Sequence, residues 1–139
     1  MEYLAHIADD GREQTVGEHL RSAAEYASRA LAPAGLCEAG YLCALLHDCG
    51  KYTELFDRYI HSNGEMRRGS VNHTFSGVRL IMERCHNEPP ASTRDIFGEL
   101  LAYAVGAHHG EFDIADEDGK NGFFHRMKKE DIGYEEAVS

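Results

Sequence analysis

A chain of 139 residues, 42% hydrophobic and 27% charged, has room for one domain with a substantial core. Its formal net charge of −10 argues against a broad electrostatic grip on nucleic acid, so attraction for a phosphodiester has to come from local charge such as bound metal. No apolar run is long enough for a membrane span, MEYLAHIADDGREQ lacks the basic and apolar regions of a secretory signal, and Cys37, Cys43, Cys49 and Cys85 form no CxxC pair. A cytoplasmic protein with unpaired thiols and no membrane partner is expected.

Residues 1–14 read as a polar lead-in, and no convincing strand occurs anywhere. Thr15-Val16-Gly17-Glu18 has the form of a capping box, and the helix it opens is expected to run to about Leu31, before Pro33 and Gly35. Val16, Leu20, Ala23, Ala24, Ala27 and Leu31 share one face of it, and His19 falls on that face. A second helix, from about Leu36 to Leu46, is apolar nearly all round and so reads as central, with Gly50 as its stop. His47 and Asp48 fall in its last turn and Lys51 just beyond. A short helix follows Thr53, with Leu55, Phe56, Tyr59 and Ile60 on its apolar side, and residues 61–70 form a loop.

A fourth helix is expected from Asn72 as N-cap, with His73 entering at the top of its buried side and Pro89-Pro90 beyond its end. Ser92 or Thr93 then caps a fifth helix, whose apolar set is Ile96, Phe97, Leu100, Leu101, Ala104 and Val105. That set leads to His108-His109, and Gly110 closes the helix. From Glu111 an acidic, solvated loop is expected, then one short amphipathic helix within 122–139 and no further core-forming element. The class is all-α with short connections, one domain over 1–139 with its core in 15–110.

The nine histidines carry the functional signal. His19, His47, His73, His108 and His109, with Asp48, come from four helices, each at a helix end or on a buried face. Neutral imidazole nitrogen and carboxylate oxygen suit divalent transition metals such as Mn, Fe, Ni, Co and Zn. Five imidazoles and one carboxylate exceed what one tetrahedral ion needs, which points to up to two ions with Asp48 between them. Two such ions suit hydrolysis of a phosphate ester, with Lys51 placed to neutralise a phosphate oxygen or to serve the proton transfers. Each histidine alone also fits a satisfied core residue, and His108-His109 alone fits a helix C-terminus that attracts imidazole through its dipole. His6, His61, His86 and His125 lie in polar or terminal stretches and read as surface residues. Arg67, Arg68, Arg126, Lys128 and Lys129 read as solvated charge, with contact to a nucleic-acid backbone as the alternative.

His19 within EHL, His47-Asp48 within HDCGK, His73 within NHTFSG, and His108-His109-Gly110 resemble the HD superfamily of metal-dependent phosphohydrolases. More narrowly they resemble the HD nuclease domain of the CRISPR type I nuclease–helicase, over about residues 18–110. The resemblance implies a helical bundle of about five to six helices acting as a nuclease on single-stranded DNA in antiviral defence. It implies a helicase, fused or separate, that feeds the nuclease DNA displaced by a guide-RNA surveillance complex. It implies that His19, His47 and Asp48 hold one ion, that His73, His108 and His109 hold the second, and that Asp48 bridges them. The family closes its first site with an aspartate on a later helix, whereas this sequence stops 29 residues after Gly110. Asp113, Asp116, Asp118 and Asp131 are the carboxylates available, and an N-terminal fragment lacking the family's C-terminal helices, with apolar surface left bare, is the expectation. No GxxxxGK[ST] phosphate loop occurs, so the chain has no helicase motor motif. A small-molecule phosphohydrolase acting on a nucleotide or cyclic nucleotide, a metal-binding module without activity, and a plain helical bundle with incidental histidines are the competing readings.

Overall fold

The computed structural model describes residues 2–67, 69–86, 89, 92–110 and 122–139. The first of them form a hairpin where the sequence reads as a lead-in. Strands β1 (Leu4–Ile7) and β2 (Glu13–Thr15) pair antiparallel, Leu4 opposite Thr15 and Ile7 opposite Glu13, with an irregularity between Leu4 and His6. Asp10-Gly11 makes the turn: Gly11 has φ +83°, which an L side chain rarely adopts, and Asp10 holds the Arg12 guanidinium at 2.8 Å. Ala5 is buried, and the Tyr3 carbonyl accepts from the Val16 N–H, so the hairpin seats on the start of the first helix.

Helix α1 (Val16–Leu31) starts as its sequence predicts. Thr15 accepts from the Glu18 N–H, and the Glu18 carboxylate accepts from the Thr15 N–H. Its buried face is Val16, Leu20 and Ala24, while Leu31 at the far end is exposed. α2 (Cys37–Leu46) crosses it closely at Gly40, where a Cβ would lie 2.7 Å from Leu31 and 2.9 Å from the Ala27 carbonyl. The expectation that α2 is central is corrected: Gly40 is its one buried residue. Tyr41, Leu42, Leu45, Leu46, Leu80, Ile81, Ala137 and Val138 line an open groove of about 830 Å³ beside it, so its uniform hydrophobicity serves a half-covered helix. α2 stops at Leu46, ahead of Gly50, and Cys49–Lys51 forms a 3₁₀ turn. α3 (Glu54–Ile60) follows, capped by Thr53 and buried through Phe56.

α4 (Phe75–Cys85) begins two residues later than expected. Its N-cap is Thr74, not Asn72, with no side-chain cap, and His73 stands just outside the helix. α5 (Thr93–Gly106) has its cap at Ser92, which accepts from the Asp95 N–H. The expected apolar face of α5 is largely wrong. Asp95, Gly98, Ala102, Val105 and Gly106 are buried, whereas Ile96, Phe97 and Leu100 are 55%, 44% and 63% exposed. The reason is close packing: at Gly98 a Cβ would come within 3.1 Å of Cys85, so α4 and α5 approach through small residues rather than large ones.

The C-terminal residues also depart from expectation. α6 (Phe123–Met127), a 3₁₀ turn (Glu130–Ile132) and α7 (Tyr134–Val138) put Phe123, Ile132 and Tyr134 into one buried cluster with Phe75, Val78, Ile81, Met82, Ala102 and Val105. The buried Ser76 hydroxyl donates to the Ile132 carbonyl at 2.7 Å, tying that turn to α4. A second cluster, Ala5, Val16, Leu20 and Cys49, joins the hairpin to α1. The architecture is therefore an all-α bundle with a two-stranded hairpin, seven α-helices among the described residues. Also among the described residues, no helix is long and apolar enough to cross a membrane. The cysteines are unpaired. The acidic loop expected from Glu111 lies outside the described residues through 121.

Candidate metal centre

Asp48 forms the floor of a hollow rimmed by imidazoles. Its side chain is 5% exposed, whereas those of His19, His47, His73 and His108 are 17–20% exposed. Each reaches the hollow from a different element: His19 from α1, His47 as the C-cap of α2, His73 just ahead of α4, and His108 and His109 in the turn after α5. Two glycines allow the convergence. At Gly50 a Cβ would stand 2.2 Å from the His73 carbonyl oxygen, and at Gly77 it would stand 2.2 Å from that of Leu46. Any larger residue would push residues 73–77 off the end of α2.

The two carboxylate oxygens of Asp48 face different partners. Oδ2 lies 3.2 Å from His19 Nε2 and 3.3 Å from His47 Nε2, and those two nitrogens are 3.2 Å apart. Oδ1 lies 3.1 Å from His108 Nε2 and 3.5 Å from His73 Nε2, and His73 Nε2 is 3.0 Å from His109 Nε2. The residues thus fall into two groups that share Asp48: His19 and His47 on one side, His73, His108 and His109 on the other. Donor atoms bound side by side to one ion at ~2.1 Å are about 3.0–3.4 Å apart, so both groups have the spacing of ligand sets.

The far ring nitrogens point the same way. His47 Nδ1 donates to the Ala44 carbonyl at 2.6 Å, His108 Nδ1 to that of Val105 at 2.7 Å, and His73 Nδ1 to that of Val71 at 3.2 Å. These bonds set the rings so that the Nε2 lone pairs converge on one another and on a carboxylate. Lone pairs facing each other at about 3 Å repel unless a cation stands between them, so the donor set fits a divalent metal.

Electrostatics prepare the same groups. Burial alone would raise the Asp48 carboxyl, but the His108, His19 and His47 imidazoles and the Lys51 ammonium outweigh it and hold the acid far below the usual carboxylate range. Burial, aided by the Lys51 charge and opposed by Asp48, pushes His73 down to about 4. Burial and then the neighbouring His108 lower His109. Both are neutral imidazoles, the ligand form, at neutral pH. His47 is the exception: burial opposes its charge, yet hydrogen bonding to Asp48 and the Ala44 carbonyl raises it, so in the metal-free site a proton competes for its place.

Lys51 is buried, 2.8 Å from Asp48 Oδ2 and 3.4 Å from the Ala5 carbonyl, with the Phe56 ring 5.3 Å away. Its ammonium therefore contacts the floor of the site and not open space. His6 is exposed, as its reading as a surface residue expects, yet it stands beside the site. Its ring lies edge-on to His19 with centroids 4.8 Å apart, and its Nε2 is 3.5 Å from Lys51 Nζ. The Asp10-Gly11 turn was the signal that could have found it, because a hairpin folds β1 back over α1. The surface reading of His86 is corrected: its side chain is 5% exposed and bonded to Glu99 at 2.7 Å, a tie between α4 and α5. His61 and His125 are exposed, as expected. Asp131 lies in the 3₁₀ turn after α6 and outside both ligand groups, and Asp113, Asp116 and Asp118 lie outside the described residues.

A comparison with curated proteins finds no match. A family model described as HD domain matches residues 16–137, from the first residue of α1 into α7. That span takes in all six converging residues and the C-terminal elements that join the core. The chain therefore belongs to the HD-domain family, whose members are typically metal-dependent phosphohydrolases.

Proposed function

We infer that this protein is a metal-dependent nuclease of the cytoplasm that hydrolyses phosphodiester bonds of single-stranded DNA. It works in the manner of the HD nuclease domain of CRISPR type I nuclease–helicases, with a helicase and a guide-RNA surveillance complex as its partners in antiviral defence. The observation that carries the hydrolase part is the single buried carboxylate of Asp48 with one oxygen turned to His19 and His47 and the other to His73 and His108. The tandem His108-His109 before Gly110, with the HDCGK and NHTFSG forms, supports the narrower nuclease reading as part of the pattern that resembles those nuclease domains.

Divalent ions in these two groups supply positive charge to a phosphoryl group and lower the pKa of water. The chain's own residues do the rest. Asp48 stays ionised and serves both groups at once. His73 and His109 stay neutral and available as ligands. The carbonyls of Ala44, Val71 and Val105 hold three rings in orientation, and Lys51 fixes Asp48 Oδ2 from beneath. His73 and His109 also line a cleft of about 720 Å³.

The test is metal analysis of the purified protein beside cleavage of single-stranded DNA and of mononucleotides under Mn, Ni, Co and Fe, with Asp48→Ala as control. Cutting of the DNA, lost in the variant, supports the proposal. Turnover of mononucleotide alone replaces it with a nucleotide phosphohydrolase, and bound metal without turnover replaces it with a non-catalytic module.

A further inference from the structure

α5 is buried along one side, through Asp95, Gly98, Ala102, Val105 and Gly106. At about 100° per residue its opposite side carries Thr93, Ile96, Phe97, Leu100 and Ala104, and all five are exposed. A helix on the surface of a bundle carries polar residues on that side. Here Leu100 is the most exposed leucine among the described residues, at 63%. The patch runs on past the helix. Phe97 meets Leu36 in a shallow hollow, and the Leu36 N–H donates to the Leu31 carbonyl at 3.2 Å, at the end of α1. Leu31, Leu36, Ile96, Phe97 and Leu100 together leave on the order of 500 Å² of apolar surface bare. A stable homodimer covers about 800 Å² on each copy, of which about 500 Å² is apolar.

Charge selects the occupant. None of the five residues on the outer side of α5 is charged, and the charged residues of the helix are held elsewhere. Asp95 is buried, Glu99 bonds His86 at 2.7 Å, and Arg94 donates to the Arg84 carbonyl at 2.8 Å. Glu38 is the one charged residue in the hollow between Leu36 and Phe97. A partner recognised through charge finds little to read on this face. A second copy, which also carries −10, meets least repulsion where charge is absent. The stripe is also self-complementary in size. About a two-fold axis at Leu100, antiparallel copies of α5 set Leu100 against Leu100 and Ile96 against Ala104, a large side chain against a small one. We propose that the outer side of α5, with Leu31 and Leu36 at its margin, is a two-fold interface with a second copy of this chain, about an axis at Leu100. The dimer carries two metal centres, and the proposal does not depend on what they hydrolyse.

Sedimentation velocity of the full chain with manganese, over a range of concentration, measures the association. The wild-type protein is a dimer at about 50 µM and dissociates on dilution. Leu100→Glu places two carboxylates together on the axis and weakens association by about 100-fold or more. Its melting temperature at monomer concentration and its manganese stoichiometry stay at the wild-type values, because the side chain is exposed in the single chain. Leu100→Lys alone also fails to associate, but an equimolar mixture of the two variants forms a dimer, because the axis pairs position 100 with itself. If Leu100→Glu lowers the melting temperature, Ala104→Glu, at a small exposed residue, decides in its place. A wild-type protein that stays monomeric at 50 µM overturns the proposal, as does a Leu100→Glu protein that associates like the wild type. A mixture of Glu and Lys variants that stays monomeric overturns the axis and the proposal with it. Species larger than a dimer overturn it too, since a two-fold face closes on itself. A monomeric wild-type protein whose Leu100 becomes protected only on adding a helicase subunit gives the face to that partner and overturns the second copy.

Discussion

Replacing Gly50 by alanine changes a residue with no functional group and still reaches the metal groups. The new Cβ would lie 2.2 Å from the His73 carbonyl oxygen, 2.7 Å from its Cα and 2.8 Å from its carbonyl carbon, all backbone atoms that cannot swing aside. Restoring ordinary contact at 3.4 Å requires the two segments to part by roughly 1 Å. Overpacking of this kind costs about 1–3 kcal/mol, which for a chain of this size lowers the melting temperature by on the order of 10 °C at the upper end. The displaced residue is His73 itself, whose Nε2 sits 3.0 Å from His109 and 3.5 Å from Asp48. The same substitution therefore weakens metal binding at the His73–His108–His109 group by about 10–100-fold and spares the His19–His47 side. Thermal melting and manganese titration read the two effects, with Gly17→Ala as control, since the nearest atoms to its Cβ are side-chain atoms, the Tyr52 hydroxyl at 3.2 Å and the Arg21 guanidinium at 3.4 Å. A Gly50→Ala protein that melts and binds manganese like the wild type would refute the claim that this backbone contact sets His73.

Lys51→Met leaves the buried Asp48 carboxylate without its ammonium partner at 2.8 Å, and lowers the stability of the metal-free protein by about 3 kcal/mol. The loss is smaller in the manganese-loaded protein, where the ion supplies the missing charge, and chemical denaturation with and without metal measures the difference. Tyr134 sets an alkaline limit. Burial, and then the Glu83 carboxylate that accepts its hydroxyl proton, push the phenol up to about 12 from 10.0. The folded state favours the neutral phenol, so this contribution is complete below pH ~10 and disappears as pH climbs through ~12. The wild-type melting temperature falls across that window. Tyr134→Phe has a lower melting temperature at neutral pH and a shallower fall, and equal slopes for the two proteins would contradict the assignment.

The site was more legible in the sequence than the packing around it. His19 follows Val16 by three positions in a helix whose capping box fixes its start, so its inward direction could be read from spacing alone. His47-Asp48 and His108-His109 end apolar runs, and such ends are where a bundle gathers side chains. What spacing could not give was which helices meet through small residues. In α5 the large side chains Ile96, Phe97 and Leu100 suggested the buried face, but Gly98 and Ala102 bring the helix close to α4 and leave those large residues outside. α2 misled in the same way, because hydrophobicity all round says nothing about how many neighbours arrive to cover it. The hairpin was hidden by its polar, irregular strands, and with it the approach of His6 to His19. The C-terminal residues looked too short and charged to join a core, yet Phe123, Ile132 and Tyr134 do so as isolated anchors on short turns.

Metal stoichiometry of wild-type and Asp48→Ala protein, measured after equilibrium dialysis against manganese, bears most directly on the shared carboxylate. The account predicts two ions per wild-type chain, loss of both in Asp48→Ala, and loss of one in His109→Ala. Two ions retained by folded Asp48→Ala, or none bound by the wild-type chain, would contradict it.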